Sequence, residues 1–177
     1  MPSPDLTIET ERMLLRPWAE SDLEAFHAIW GDSEVIWWGA SESLSATREG
    51  FDRLLARHVR WPRGVRWYAM VGKAGADEDD GGILGDVLLQ PARFVPGIEI
   101  GWHLRRDAWG RGLATEAAVA VLARAWTETD LDRIYAIVAV QNERSLRMTK
   151  KLGLEPIRDM EYAGLPHRLF AIERPAG

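Results

Sequence analysis

Glu99-Ile100-Gly101-Trp102-His103-Leu104-Arg105-Arg106-Asp107-Ala108-Trp109-Gly110-Arg111-Gly112-Leu113-Ala114-Thr115-Glu116-Ala117 reads as a strand feeding two close glycines and then the start of a helix. Without β-carbons, Gly110 and Gly112 let the backbone amides of Arg111 through Thr115 converge on one point. The first helical turn adds its unpaired N–H groups and the positive end of its dipole. Such a turn is an anion site, although glycines ahead of a helix also serve as plain tight turns. Two phosphate-binding rivals fit poorly. A Walker A loop needs lysine and serine or threonine directly after its second glycine, where Leu113-Ala114 stand. A dinucleotide fingerprint needs a small third residue where Thr115 stands, in a leading βαβ unit rather than late in the chain.

Working outward toward the N-terminus, residues 7–16 read as a first strand ended by Pro17. Ser21-Asp22 is expected to cap a helix whose apolar residues Leu23, Phe26, Ile29 and Trp30 recur at three- and four-residue intervals, with Gly31 as its stop. A second amphipathic helix, 45–59, sets Phe51, Leu54, Leu55, His58 and Val59 on one stripe. Between the helices, Val35-Ile36-Trp37-Trp38-Gly39 is an apolar loop that either packs down as a lid or lines a pocket. Strands follow at 66–71 and 83–89, joined by a glycine-bearing link whose four acids, Asp77 to Asp80, read as solvated decoration. The quoted strand spans 98–104 and the helix after the turn 111–129, with Ala117, Ala118, Val121, Leu122, Ala125 and Trp126 as its buried stripe. Next come a β-branched strand at 133–140, a short helix at 142–152 ended by Gly153, and a last strand at 167–173. Antiparallel meanders first and a βαβ unit later point to an α/β (α+β) domain around one mixed sheet, covering 1–177 as a single unit.

Composition is compatible with this. The chain has 177 residues, 46% of them hydrophobic and 28% charged, enough to bury roughly 70% of its unfolded surface. It has no cysteine, which excludes thiol nucleophiles, thiolate metal sites and disulfides and fits a reducing cytoplasm. No stretch approaches the ~20 apolar residues of a membrane span, and Met1-Pro2-Ser3-Pro4-Asp5 is no signal peptide, so a cytoplasmic protein without a membrane is expected. The net charge of -5 argues against nucleic acid as a partner. The nine tryptophans are read first as packing residues. His27, His58, His103 and His167 lack metal-ligand spacing and read as ordinary histidines, so no metal is expected.

The chain resembles the GNAT superfamily of acetyltransferases, in the branch of the ribosomal-protein acetyltransferases of RimJ/RimL type. The resemblance rests on Met13-Leu14-Leu15-Arg16-Pro17 with Ser21-Asp22, on Ile98 to Trp102, on Trp109 to Ala117, on Asn142-Glu143-Arg144-Ser145 and on Lys151-Leu152-Gly153-Leu154, in family order. It implies a mostly antiparallel sheet of about seven strands with about four helices, and a V-shaped splay between the fourth and fifth strands, those at 98–104 and 133–140. It further implies acetyl-CoA as co-substrate, with Trp109, Gly110, Arg111, Gly112, Leu113, Ala114 and Thr115 around its pyrophosphate and Ile100 and Trp102 along the pantetheine. The family loop opens with glutamine or arginine where Trp109 stands, a change that leaves the backbone cradle intact. Arg111 is either a phosphate partner or a surface arginine.

The chemistry expected is transfer of an acetyl group to a primary amine, which requires a neutral amine, a stabilised oxyanion and a proton for the departing thiolate. Glu99 is the base candidate, through a water, or else a structural or substrate hydrogen-bond partner. Asn142, Ser145 and Thr149 fall at i, i+3 and i+7, on one face of the short helix. In the commonest family pattern a tyrosine stands at Thr149 and protonates sulfur; here Ser145 is the substitute, as a hydrogen-bond donor. Asn142 binds pantetheine or acceptor, or caps the helix. Trp37, Trp38 and Glu99 are read as acceptor-binding, with Tyr162 and His167 as minor candidates. The alternatives are an acyl-CoA-binding module without turnover and an antibiotic- or polyamine-modifying acetyltransferase. Monomer and homodimer are both open.

Overall fold

One pair of neighbouring strands in the sheet is parallel, all others are antiparallel, and the functional cleft opens where that one pair comes apart. In the computed structural model, which describes residues 6–58, 64–75 and 81–176, the elements in chain order are β1 (Ile8–Glu9), β2 (Met13–Pro17), α1 (Leu23–Trp30), α2 (Leu44–His58), β3 (Trp67–Gly72), β4 (Ile83–Pro91), β5 (Ile98–Leu104), α3 (Leu113–Glu128), β6 (Arg133–Ala139), α4 (Glu143–Lys151), β7 (Glu155–Tyr162) and β8 (Leu165–Glu173). They form an eight-stranded sheet ordered β1-β2-β3-β4-β5-β6-β8-β7. β1 through β5 is a meander, and β5-α3-β6 is the crossover that parallel strands require. Alternation along the strands sends Met13, Leu15, Met70, Val87, Leu89 and Ile100 to the face that α3 covers with Ala117, Val121 and Leu122. The other face carries Ala69 against Trp18, Phe26, Ile29, Phe51 and Leu54 of the α1–α2 layer.

β4 and β5 pair over their whole length, from Gly85 opposite Leu104 to Pro91 opposite Ile98. β5 and β6 pair only through Ile98 with Ile134 and Glu99 with Tyr135. Counted with the first hairpin as one strand, these are the fourth and fifth, and they splay as the resemblance implies. Val59, the side chain of His58, the Asp77–Asp80 acids and Met1 to Asp5 lie outside the described residues.

Three local readings change. The first strand is two: Ile8 pairs with Leu15 and Glu9 with Leu14, because the Thr10 hydroxyl accepts from the Met13 amide at 3.0 Å and donates to its carbonyl at 3.1 Å, closing a turn. Ser21-Asp22 sits in a 3-10 turn, and the Asp22 side chain does not cap α1. Its carboxylate instead accepts the Arg16 guanidinium at 2.6 and 2.9 Å and the Ala19 amide at 2.8 Å. Finally, β7 is an additional edge strand, joined to β8 by a two-residue turn at Ala163 and Gly164, both with positive φ.

A polar latch fixes the loop ahead of α3. Arg12, in the β1–β2 turn, donates its amide and Nε to the two oxygens of Glu116 at 2.9 and 2.7 Å, and its Nη1 to the carbonyl of Arg111 at 2.9 Å. Partial burial works to raise the Glu116 carboxyl; hydrogen bonds from Thr10 and Arg12 and the Arg12 charge outweigh it and hold the group below 4.5. A depressed carboxyl stabilises the fold above its unfolded pKa, and that contribution is lost as pH falls through the folded value. Glu116→Gln is therefore expected to cost about 1–2 kcal/mol at pH 7, roughly 2–4 °C of melting temperature per kcal/mol in a chain of this size. The variant also loses less stability than the wild type on acidification below pH 4.5, which thermal denaturation at stepped pH measures.

Candidate active site

The turn into α3 is built as its glycines require. Gly110 and Gly112 have φ of 79° and 80°, a left-handed conformation costing other residues roughly 1–2 kcal/mol. Gly112 is the N-cap of α3, with no side-chain cap on the helix, so the first-turn amides are not consumed by a neighbouring side chain. α4 differs, since Asn142 Oδ1 accepts the Ser145 amide at 3.1 Å and caps it. Gly110, Gly112, Leu113, Ala114 and Thr115 all line one cleft of about 760 Å³. Arg111 is not among the residues lining it; its carbonyl is the acceptor of the Arg12 latch. Trp109 lines the cleft, donates Nε1 to the Leu104 carbonyl at 2.8 Å, and carries the Arg144 guanidinium 4.5 Å above its ring. The tryptophan that replaces a polar loop residue thus seats a cation from α4 beside the loop.

The cleft runs between β5 and β6 where they have parted, with Ile100 to Leu104 on one wall and Ile137 to Ala139 on the other. Glu99, Trp102, Asn142, Ser145, Trp37 and Trp38 also line it. Trp102 Nε1 donates to Ser145 Oγ at 3.2 Å. That bond occupies one lone pair and leaves the hydroxyl proton for another acceptor. Thr149 does not join Ser145: it is fully buried and its hydroxyl donates to the Leu146 carbonyl at 2.9 Å. From α4, Arg144, Ser145, Arg147, Met148 and Lys151 line the cleft, while Thr149 is turned into the protein.

Glu99 is 9% exposed, at the point where the β5–β6 ladder ends. Trp67 Nε1 donates to Gln90 Oε1 at 3.1 Å, which turns the Gln90 amide nitrogen toward Glu99 Oε1, 2.5 Å away. Burial raises the Glu99 carboxyl above 4.5; the Gln90 hydrogen bond and the Arg93 charge offset only part of this. A raised carboxyl is a stronger base once ionised, and burial next to a cleft is how such groups are tuned.

A family profile described as the acetyltransferase (GNAT) domain matches residues 12–155. The chain belongs to the GNAT acetyltransferases. It is 28% identical over 176 residues to the uncharacterized N-acetyltransferase YoaA of Bacillus subtilis, covering 95% of this chain and 97% of that one. It superposes on the acetyltransferase of Agrobacterium tumefaciens strain C58 with a TM-score of 0.76 and 25% identity, over 98% and 96% of the two chains. On the Mycobacterium smegmatis RimJ in complex with CoA-disulfide the TM-score is 0.72 at 20% identity, over 94% and 87%.

This GNAT cleft has a second end that the sequence reading did not assemble. Six of the nine tryptophans line the cleft as a whole: Trp30, Trp37, Trp38, Trp67, Trp102 and Trp109. Trp30 lies between Phe26 and Trp67, at 5.6 and 5.3 Å. Trp37 stacks on His167 at 5.8 Å, and His167 meets Tyr162 edge-on at 5.4 Å. Thus the loop at 35–39 lines the pocket, and two histidines read as ordinary, His103 and His167, stand on its wall. Asp86 and Gln90 were not singled out, because each matters only through its cross-strand partner on β5. Among the described residues no group of three or more His, Asp or Glu is placed to hold a metal ion, and no helix is long and apolar enough to cross a membrane.

The raised Glu99 carboxyl has a stability consequence. Its charged form is disfavoured in the fold, so stability falls as pH climbs from 4.5 through the higher folded value. Glu99→Gln keeps the shape and removes the charge. It is expected to melt at a higher temperature than the wild type at pH 7, with the difference vanishing below pH 4.5. Equal melting temperatures at both pH values defeat this reading of the carboxyl.

Proposed function

We propose that this enzyme transfers the acetyl group of acetyl-CoA to a primary amine by direct attack in a ternary complex, with Glu99 as base and Ser145 as hydrogen-bond donor to the leaving sulfur. The observation that carries it is convergence. One cleft holds the uncapped start of α3, the unpaired edge of a strand, a carboxyl raised by burial, and a serine hydroxyl with its proton to give.

The amides of residues 111–115 are suited to the pyrophosphate, and Arg144 to a phosphate charge beside it. Beyond Glu99, the edge of β5 that faces the parted β6 offers main-chain donors and acceptors on which the amides of a pantetheine arm add like a strand. That arm brings a thioester toward Glu99 at one end and Ser145 across the cleft. Glu99, directly or through a water, takes a proton from the attacking nitrogen. Ser145 steadies the thiolate by hydrogen bonding and keeps its own proton, since a serine hydroxyl is too weak an acid to surrender it; the proton taken by Glu99 returns through water to the sulfur, which leaves as the thiol. The likeness to an acetyltransferase structure bound to a CoA compound supports the choice of donor.

For the acceptor, the indole-rich wall supports an amine next to an apolar or planar group, such as a peptide or protein N-terminus or a small amine, over a polyamine or aminoglycoside, which an acidic pocket favours. An α-amino group, with a free pKa of about 7.7–8.0, also asks less of Glu99 than a lysine amine near 10.4.

The test is thiol release from acetyl-CoA against a panel of peptides, amino acids and amines, with mass spectrometry of the acceptors. Glu99→Gln is expected to lower kcat about 10²- to 10⁴-fold with acetyl-CoA affinity unchanged. Ser145→Ala should lower it roughly tenfold, mostly in kcat. Tight acetyl-CoA binding with no amine-dependent thiol at any acceptor makes the chain a binding module instead.

A further inference from the structure

Asp86 is a fully buried acid that the chemistry above leaves unused. Both of its oxygens are taken: Oδ2 accepts Trp30 Nε1 at 2.8 Å and Oδ1 bonds His103 Nδ1 at 2.8 Å. Burying a carboxylate is expensive unless it is paired and hydrogen-bonded, and packing alone gives no reason to place one there. What this acid does is fix an imidazole. The His103 ring is held edge-on by Trp30 at 4.6 Å and tilted against Trp38 at 5.6 Å. An ionised carboxylate accepts only, so it selects the tautomer in which Nδ1 donates and the lone pair of the neutral ring is on Nε2; His103 itself lines the cleft.

The register of β4 and β5 repeats this device. Gln90 lies opposite Glu99, Leu88 opposite Gly101 and Asp86 opposite His103. Period two puts Glu99, Gly101 and His103 on one face, the outer two about 13 Å apart at Cα. Each is tied to the residue across from it, by Gln90 at 2.5 Å and Asp86 at 2.8 Å. Between them Gly101 has no side chain; a β-carbon there meets Leu88 at 3.3 Å. The cleft floor therefore carries two proton-accepting groups with a gap the width of one missing residue.

The reaction needs two. When an ammonium ion is acetylated, the C–N bond forms, the C–S bond breaks, and nitrogen sheds two protons. One leaves on the thiol and the other goes to solvent. We propose that His103, held by Asp86, takes the first of these at Nε2, making the incoming amine neutral above Gly101, and passes it to solvent, while Glu99 takes the second as the C–N bond forms and returns it through water to the sulfur as the C–S bond breaks, which regenerates the carboxylate and releases the thiol. This rests on the acetyl-transfer reading above. His103 is then a catalytic residue and Asp86 its positioning residue. Among the described residues, α1 and the loop after it face His103 with the uncharged rings of Trp30 and Trp38, while Glu34 on the cleft wall is paired with Arg106 at 2.8 Å. Glu99 and Arg93 belong to the opposite end, and His167 to the far wall on β8.

The signature lies in how the loss depends on acceptor and pH. His103→Gln keeps a donor for Asp86 but takes no proton. With a lysine-like amine, mostly protonated at pH 7, kcat/KM is expected to fall at least 100-fold, and to recover as pH rises toward the amine pKa near 10.4. With an α-amine of pKa about 7.7–8.0 the loss is roughly tenfold or less. Asp86→Asn reproduces the pattern. Activity within threefold of wild type for both amines, or one equal loss at every pH, overturns the proposal. On the wild type itself, nitrogen NMR of the imidazoles provides a readout independent of turnover and of variant folding. The neutral His103 ring is expected to carry its proton on Nδ1 and leave Nε2 bare, and the opposite tautomer overturns the proposal. Wild type that releases no thiol with any amine removes the acetyl-transfer reading and this role with it; wild type that turns over while His103→Gln keeps pace removes this role alone.

Discussion

The structure depends on a ladder that stops. β5 and β6 are held together at two residue pairs, Ile98 with Ile134 and Glu99 with Tyr135, and then diverge. A parallel ladder continued to Leu104 would leave a closed sheet and no room for substrate. Ending it exposes strand edges that normally find partners, and the surrounding elements prevent collapse. On one side β5 keeps its full pairing with β4. On the other, β6 is paired with β8 along its whole length. Each wall is braced from behind, so the gap is kept open by the rest of the sheet.

The cleft separates charge in a chain whose net charge is -5. Arg144, Arg147 and Lys151 of α4 line it on the side of the glycine loop, while Glu99 and the Asp86–His103 pair stand on the floor of β5 and β4. Among the described residues, three of the four lysines and arginines lining the cleft thus stand on α4, and the fourth, Arg93, lies near Glu99. Global charge hides this local arrangement because it averages over both signs. The Arg12 latch belongs to the same economy of position: a guanidinium from the N-terminal hairpin is spent on Glu116 and the Arg111 carbonyl, holding the loop so that its amides face the cleft.

Much of this was legible in order along the chain. The strand, paired glycines and helix start at 98–117, the meander before and the crossover after, and the cleft placement of Trp37, Trp38, Glu99, Asn142 and Ser145 follow from local pattern and resemblance. What escaped was of two kinds. β7 escaped because Glu155 to Tyr162 is a charged, exposed edge strand opened by Glu-Pro and closed by Ala-Gly rather than Asn-Gly, so neither alternation nor turn signal marks it. Gln90, Asp86 and His103 escaped because their meaning is a matter of register, and which residue of β4 faces which of β5 is fixed only when the link at 92–97 is folded. Thr149 shows the reverse error: its i+4 spacing from Ser145 is right, yet the helix is rolled so that the cleft sees Arg144, Ser145, Arg147, Met148 and Lys151 instead.

A binding cavity walled by six indoles is also an optical instrument. Tryptophan emission responds to nearby dipoles, charges and excluded water, and here most of the chromophores sit on the surface that substrates cover. Trp102 and Trp109 contact Ser145 and Arg144 of α4, while Trp30, Trp38 and Trp67 pack with the α1–α2 layer, which Trp109 also touches. The protein's own ultraviolet fluorescence therefore reports the filling of its cleft, with no dye attached.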